Sequence, residues 1–286
     1  MKRYGLVEAG GTKFVLGVAS NKDDIEATTR IETTTPAETL GAMVDWFRSQ
    51  GDLSGFGVAS FGPLILDKTS PDWGHIGITP KPHWSGADLA GSLKIAFGLP
   101  LAIDTDVNGA ALAEARWGVG QGANSVLYFT VGTGIGGGAV VDGRIVHGLS
   151  HPEMGHIRLP RHPDDREFAG TCPFHGDCLE GLASGPAIIA RWGASLSDLP
   201  ADHVGHDIIA SYLAQTVVTM QAVFAPLSII FGGGVMGTVG MIDRVRVQAK
   251  ALGNGYFAGD IDEIVTLPGL GDKAGLLGAL ALAQAD

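Results

Sequence analysis

A two-lobed α/β fold is what the sequence predicts, each lobe built on a strand, a glycine-rich turn and a returning strand. Three observations carry it. Tyr4–Gly10 (YGLVEAG), the turn Gly10-Gly11-Thr12-Lys13 and Phe14–Ser20 (FVLGVAS) form one such unit. Ser125–Val131 (SVLYFTV), the GTGIGGG turn at Gly132–Gly138 and a return starting at Gly138–Val141 form a second on the same plan. Between and after them, short buried strands alternate with helical stretches, and 286 residues suffice for two lobes with a sizeable core.

Taken in order, Ile25–Thr34 alternates in polarity and reads as a third strand. Pro36 opens a helix to about Gln50, with Leu40, Met43, Val44 and Phe47 on one face. Phe56–Phe61 is a buried strand. The stretch from Gly62 to Trp84, with Pro63, Pro71, Pro80 and Pro82, reads as an irregular loop. Ala87–Phe97 reads as a helix, Leu101–Asp104 as a short strand, and a helix follows to about Trp117. In the second half, helices are expected near Gly181–Trp192 and Asp207–Phe224. Strands are expected at Leu227–Phe231 and Ile264–Leu267, and a final apolar helix at Ala274–Ala283. Trp46, Trp117 and Trp192 fall on helical apolar faces, where core positions are expected. Trp73 and Trp84 lie in the irregular loop, where packing on a sugar or across a dimer is open. Asp164, Asp165 and Glu167 read as a solvated face. His75, His83, His147, His151, His162, His203 and His206 read as surface or loop residues.

Composition excludes several classes. The formal charge is -11, with no basic block, which argues against nucleic acid or an anionic membrane as the main partner. No apolar span is long enough for a transmembrane helix. The strand-like segment at Tyr4 leaves no signal peptide or targeting arm to expect, so the expected location is cytoplasmic, where two cysteines stay reduced.

Those two cysteines lie in the densest cluster of chemistry-bearing residues, His151–Pro186 (HPEMGHIRLPRHPDDREFAGTCPFHGDCLEGLASGP). Glu153 and Glu180 bracket His156, Cys172, His175 and Cys178. Two thiolates and two imidazoles suit a closed tetrahedral zinc site, structural rather than catalytic. The segment between His156 and Cys172 is rich in Pro, Arg and Asp without apolar periodicity, so a metal would be needed to fix it. The residue types alone leave open a Cys172–Cys178 disulfide or two unrelated thiols.

Turns made of Gly and Thr expose backbone N–H groups to a polyanion. Gly10–Lys13, Gly132–Gly138 and Gly232–Gly234 are three such turns, and two facing hairpins would hold the phosphates of a nucleotide, with Lys13 and Thr133 adding a charge and a hydroxyl. The spacing fits neither a GxxxxGK[ST] loop nor a GxGxxG turn. Asp106, at the start of a helix, is either an N-cap or a general base toward a sugar hydroxyl, with Asp104 as its competitor.

In combination, EAGGTK at 8–13, DTDVNGAALAE at 104–114, GTGIGGG at 132–138, EMGH at 153–156, CPFHGDCLEGLASGP at 172–186 and GGGV at 232–235 resemble the ROK family of sugar kinases, on the actin-like, hexokinase-like ATPase fold related to ribonuclease H. The resemblance covers nearly the whole chain. It implies a small lobe at 1–117, a large lobe at 118–272 carrying the zinc loop 151–186, and a C-terminal helix at about 273–286 returning to the small lobe. It implies Asp106 as catalytic base; Glu153, His156 and Glu180, assisted by Asn108, as sugar contacts; and His156, Cys172, His175 and Cys178 as zinc ligands. The nucleotide-binding residues so implied are Gly10, Gly11, Thr12, Lys13, Thr133, Gly134, Gly185, Pro186, Gly232, Gly233 and Gly234. ATP, Mg²⁺ and structural Zn²⁺ are the implied cofactors, and a homodimer the implied assembly. Glu8 for the usual Asp and Thr105 for the usual Asn, with Ser60–Pro63 (SFGP) and Thr79–Trp84 (TPKPHW), look like the bacterial zinc-containing fructokinase branch. His175 also departs from a cluster that is often three cysteines. The expected reaction is ATP-dependent phosphorylation of D-fructose to fructose 6-phosphate, with glucose or mannose as alternatives. A sugar-responsive regulator would need a DNA-binding module, and a zinc hydrolase an open coordination position.

Overall fold

The computed structural model describes residues 2–285, which divide into two compact units. One comprises residues 2–116, 145–151 and 270–285; the other comprises 117–144 and 152–269. In the first unit, β1 (Tyr4–Ala9), β2 (Lys13–Asn21), β3 (Asp24–Glu32), β4 (Gly55–Ser60) and β5 (Leu101–Thr105) form one sheet in the order β3-β2-β1-β4-β5. β1 pairs antiparallel with β2 and parallel with β4, and β4 parallel with β5. Every residue of β4 is buried, as expected for an inner parallel strand covered on both faces. The edge strand β3 alternates between exposed and half-buried positions.

Helix α1 (Pro36–Arg48) starts with a capping box: the Thr35 hydroxyl accepts the Glu38 N–H, and the Glu38 carboxylate accepts from Thr35. Its Met43 and Phe47 join Phe14, Leu16, Phe56, Val58, Leu89 and Leu93 in the core, the last two from α2 (Leu89–Phe97). Trp84 belongs to the same core. It is fully buried, packs its ring 5.5 Å from Phe14 and 5.5 Å from Phe61, and donates its indole N–H to Thr34 O at 2.8 Å. The loop reading leaves this ring open to a sugar or a dimer contact; in the structure it packs in the core. α3 (Asp106–Trp117) and the C-terminal helix (Ala274–Ala283) complete the unit. The latter is apolar all round because almost every residue is buried. It lies so close to β4 that a Cβ on Gly57 would fall 1.8 Å from Ala279 O.

In the second unit, β6 (Ser125–Val131), β7 (Ile135–Val141), β8 (Arg144–Ile145), β9 (Ser228–Gly232) and β10 (Val265–Thr266) are ordered β10-β9-β6-β7-β8. β6 pairs antiparallel with β7 and parallel with β9. Each sheet is thus an antiparallel hairpin with parallel strands added beyond its first strand, which is the predicted duplication and the actin-like ATPase topology. The turn is shorter than GTGIGGG suggested: Gly136, Gly137 and Gly138 belong to β7. The helix expected at 181–192 is two, α4 (Leu179–Ala183) and α5 (Gly185–Trp192), broken at Ser184, whose hydroxyl accepts the Ala187 N–H to cap α5. α6 (Gly205–Phe224), α7 (Met241–Gly253) and α8 (Ile261–Ile264) follow. The sequence reading missed α7, a mostly polar helix that buries only Met241, Val245 and Ala249. Trp46, Trp117 and Trp192 are half-buried rather than central.

Asp165, read as solvated, is buried. Its carboxylate receives Arg191 Nε and Nη2, both at 2.8 Å, and the Tyr212 hydroxyl at 2.6 Å, while the Arg191 guanidinium lies 3.7 Å over the Phe168 ring. Arg161 donates to the carbonyls of Asp165 and Phe168. Burial, with the neighbouring carboxylate, pushes the Tyr212 hydroxyl up to about 12. The segment after His156 therefore has an anchor of its own. Asp165→Ala leaves Arg191 charged and unpaired inside the unit, and is expected to cost about 3–5 kcal/mol in urea unfolding. A loss below about 1 kcal/mol, the range of exposed pairs, would contradict the anchor.

Candidate active site

In the first unit, the β1–β2 turn is closed by Gly10 N–H donating to Lys13 O at 3.0 Å, with Thr33 bracing it through its N–H to Thr12 O at 2.9 Å and its hydroxyl to Gly10 O at 2.7 Å. Thr12 and Lys13 are exposed on it. Glu8, just before the turn, is half-buried. Burial pushes its carboxyl up, against the pull of Lys13 and Arg30.

At the end of β5 the two aspartates part company. Asp104 is buried; its Oδ1 accepts the Thr105 N–H at 2.8 Å and Asn108 Nδ2 at 2.7 Å, and its Oδ2 lies 2.8 Å from His147 Nε2. The α3 cap is Thr105, whose Oγ1 accepts the Asn108 N–H at 3.2 Å. Capping therefore does not account for Asp106, the first residue of α3, whose Oδ1 accepts the Val107 N–H at 2.9 Å. Asn108 is 1% exposed, and its Oδ1 finds no partner among the described residues. Two histidines read as bland hold the segment 145–151 in this unit: His147 on Asp104, and buried His151, whose Nε2 accepts the Leu64 N–H at 3.0 Å. The signal missed was that both immediately precede Glu153 in HGLSHPEMGH.

In the second unit, the Gly132–Gly134 turn gathers several of the expected residues. Gly185 N–H donates to Gly132 O at 2.7 Å, which ties the start of α5, with Pro186 in its first turn, to the turn. Glu180 Oε2 accepts the Ile135 N–H at 3.0 Å. Met154 and Gly155 of EMGH pack on β7. A Cβ on Gly155 would lie 1.7 Å from Ile135 O, and one on Gly137 would lie 2.8 Å from Met154 Cβ. Those strand glycines exist for this close approach. Gly233, at φ 91°, lies against Val131 at the base of the same turn and brings Gly232–Gly234 beside it.

His156, Cys172, His175 and Cys178 converge, with all four candidate ligand atoms within 4.8 Å of one another. His156 Nδ1 is 3.4 Å from Cys178 Sγ and 3.8 Å from Cys172 Sγ, and His175 Nδ1 is 3.7 Å from Cys172 Sγ. A tetrahedral zinc with ordinary bond lengths separates N and S ligands by about 3.6 Å, so the donor set fits the ion. The cysteines are thiols, not a disulfide. Burial pushes the Cys178 thiol up to about 11, so an ion would have to supply the charge that holds it as thiolate. The knuckle is closed by reciprocal Cys172–Gly176 hydrogen bonds and by Gly181, where a Cβ would lie 1.9 Å from Gly176 O. With Nδ1 turned to the sulfurs, the His156 ring sets Nε2 on the side of Glu153, 4.0 Å from its Oε2. The ion would therefore orient this edge of the ring.

The ROK family model matches residues 4–286. A fructokinase of Zymomonas mobilis is 52% identical, over 99% of this chain and 97% of that protein. A fructokinase of Pediococcus pentosaceus is 40% identical, over 98% and 97%. Among solved structures, a ROK hexokinase from Thermus thermophilus aligns with TM-score 0.80 at 26% identity, covering 98% of this chain and 97% of that one. A ROK family glucokinase from Streptomyces griseus, in complex with glucose and AMPPNP, aligns with TM-score 0.74 at 25% identity over 99% of both.

Proposed function

The chain belongs to the ROK family, and we propose that it is a sugar kinase that transfers the γ-phosphoryl group of ATP to the 6-hydroxyl of D-fructose. The observation that carries the reading is the full-length similarity to fructokinases, with Asp106 as the first residue of a helix whose cap is supplied by Thr105. Asp106 takes the proton of the attacking hydroxyl, and the oxygen attacks phosphorus as the bond to the leaving ADP oxygen breaks. The nucleotide arrives as its Mg²⁺ complex. Gly10–Lys13, Thr133–Gly134 and Gly232–Gly234 offer backbone N–H groups, the Lys13 charge and the Thr133 hydroxyl to its phosphates, with Gly185 and Pro186 holding the second turn in place. By the family resemblance Glu153, His156 and Glu180 bind sugar hydroxyls, assisted by Asn108. His156 Nδ1, Cys172, His175 and Cys178 would hold a zinc ion, which would keep that imidazole aimed. No helix among the described residues is long and apolar enough to cross a membrane.

The reaction is tested by incubating the protein with Mg-ATP and fructose and locating the phosphate by ³¹P–¹H correlation NMR. A product esterified at the 6-hydroxyl is expected. Phosphate at the anomeric carbon, or none on the sugar, would contradict the assignment.

A further inference from the structure

We propose that His147 and Asp104 form a charged brace that positions the first turn of α3, and Asp106 within it, for proton abstraction. The inference rests on the reading of Asp106 as the base. The Asp104 side chain is 5% exposed, yet it gathers three elements of one unit. Oδ1 takes the N–H of Thr105, the last residue of β5, and the amide of Asn108, in the first turn of α3. Asp106 lies between those two donors, so both sides of its turn hang on one carboxylate. Oδ2 takes Nε2 of His147, from the segment 145–151.

A buried carboxylate that has lost its counter-charge is costly, and the turn would shift to relieve it. His147 supplies that charge. The charged group acting on the ring is Asp104: its carboxylate, accepting the Nε2–H, holds the imidazole above the ordinary histidine range, against the opposing effect of burial. On the same segment, His151 Nε2 accepts the Leu64 N–H. The sign follows. A raised histidine keeps the ion pair complete below its ordinary value and loses it as pH rises through the raised one. Above that point the neutral ring still donates its Nε2–H, so the hydrogen bond survives while the compensation is gone. His147 touches neither nucleotide nor sugar in this scheme; it is a positioning residue, and its loss falls on kcat.

The test is kcat and KM for fructose and ATP across about pH 6 to 10, spanning the titration range of histidine and lysine, for the wild type, His147→Gln, His147→Lys and Asp106→Asn. His147→Gln keeps a donor and removes the charge. Its kcat is expected to fall about tenfold, as displaced catalytic groups do, with KM for ATP little changed and the alkaline limb of the profile gone. His147→Lys keeps a charge and is expected to move that limb upward, and it serves if the glutamine variant does not fold. Wild-type kcat together with an unshifted alkaline limb in the folded variants overturns the brace. If Asp106→Asn keeps normal turnover, the base assignment fails and the brace with it. If Asp106→Asn is inactive while the His147 variants behave as wild type, the brace alone fails.

Discussion

Asp106→Asn is expected to lower turnover by at least about 10²-fold, the ordinary contribution of a positioned general base, with little change in thermal stability. The separation follows from the local hydrogen bonds. The asparagine oxygen can still accept the Val107 N–H, and the Thr105 hydroxyl still caps α3. Only the capacity to take a proton is lost. Asp104→Asn is the contrasting case: it weakens three hydrogen bonds around a buried group, so it should cost stability first and turnover less. Paired melting curves and initial rates distinguish the two. Near-normal turnover in Asp106→Asn, or abolition by Asp104→Asn alone in a folded protein, would reverse the assignment.

Cys178→Ala is expected to bring zinc content from about one ion per chain to near zero and to raise KM for fructose at least about tenfold, a typical loss when the groups that hold a binding residue are removed. Cys178 is fully buried and faces His156 Nδ1 at 3.4 Å. Without the ion, the histidine ring has only a weak partner there, while the proposed role of its other nitrogen is to meet the sugar. The damage should stay local. Asp165, Arg191 and Tyr212 hold the preceding stretch by bonds that include no ligand residue. Hydrogen exchange should therefore rise around 172–178 and not around 162–168. Elemental analysis of protein purified without a metal column gives the first figure. Absence of zinc, with both thiols titrating freely in the native protein, would exclude the site.

The duplication was legible in the sequence because its signals are local: a buried strand, a Gly-rich turn and a return strand, twice over. The convergence of His156, Cys172, His175 and Cys178 was legible for the same reason, since all four fall within one stretch. What failed was whatever depended on a distant partner. Asp165 reads as one of several acids in a polar loop until Arg191 and Tyr212, far along the chain, close on it. Trp84 follows prolines, and only the fold shows Phe14 and Phe61 around it. The glycines of β7 mimic a longer turn because close approach by Met154 and Gly155 demands the same residue as a bend does. His147 and His151 carry no helical or strand periodicity, so their neighbours offer only the nearness of Glu153 and do not point to Asp104 or Leu64. α7 hides because a helix resting on one narrow stripe looks polar along its length.

The sugar is the claim on which the rest turns. In the proposed site, Glu153, His156 and Glu180 would discriminate by leaving polar groups unpaired when a hydroxyl is misplaced. The proline-rich segment Thr79–Trp84 is fixed to its unit through Trp84 Nε1 on Thr34 O and Lys81 Nζ on Thr33 O, the latter at 3.1 Å. Steady-state kcat/KM for fructose, mannose and glucose, with ATP saturating, is the direct measurement. Fructose is expected to give the highest value; a higher kcat/KM for glucose than for fructose would contradict the fructokinase assignment while leaving a hexose kinase in place.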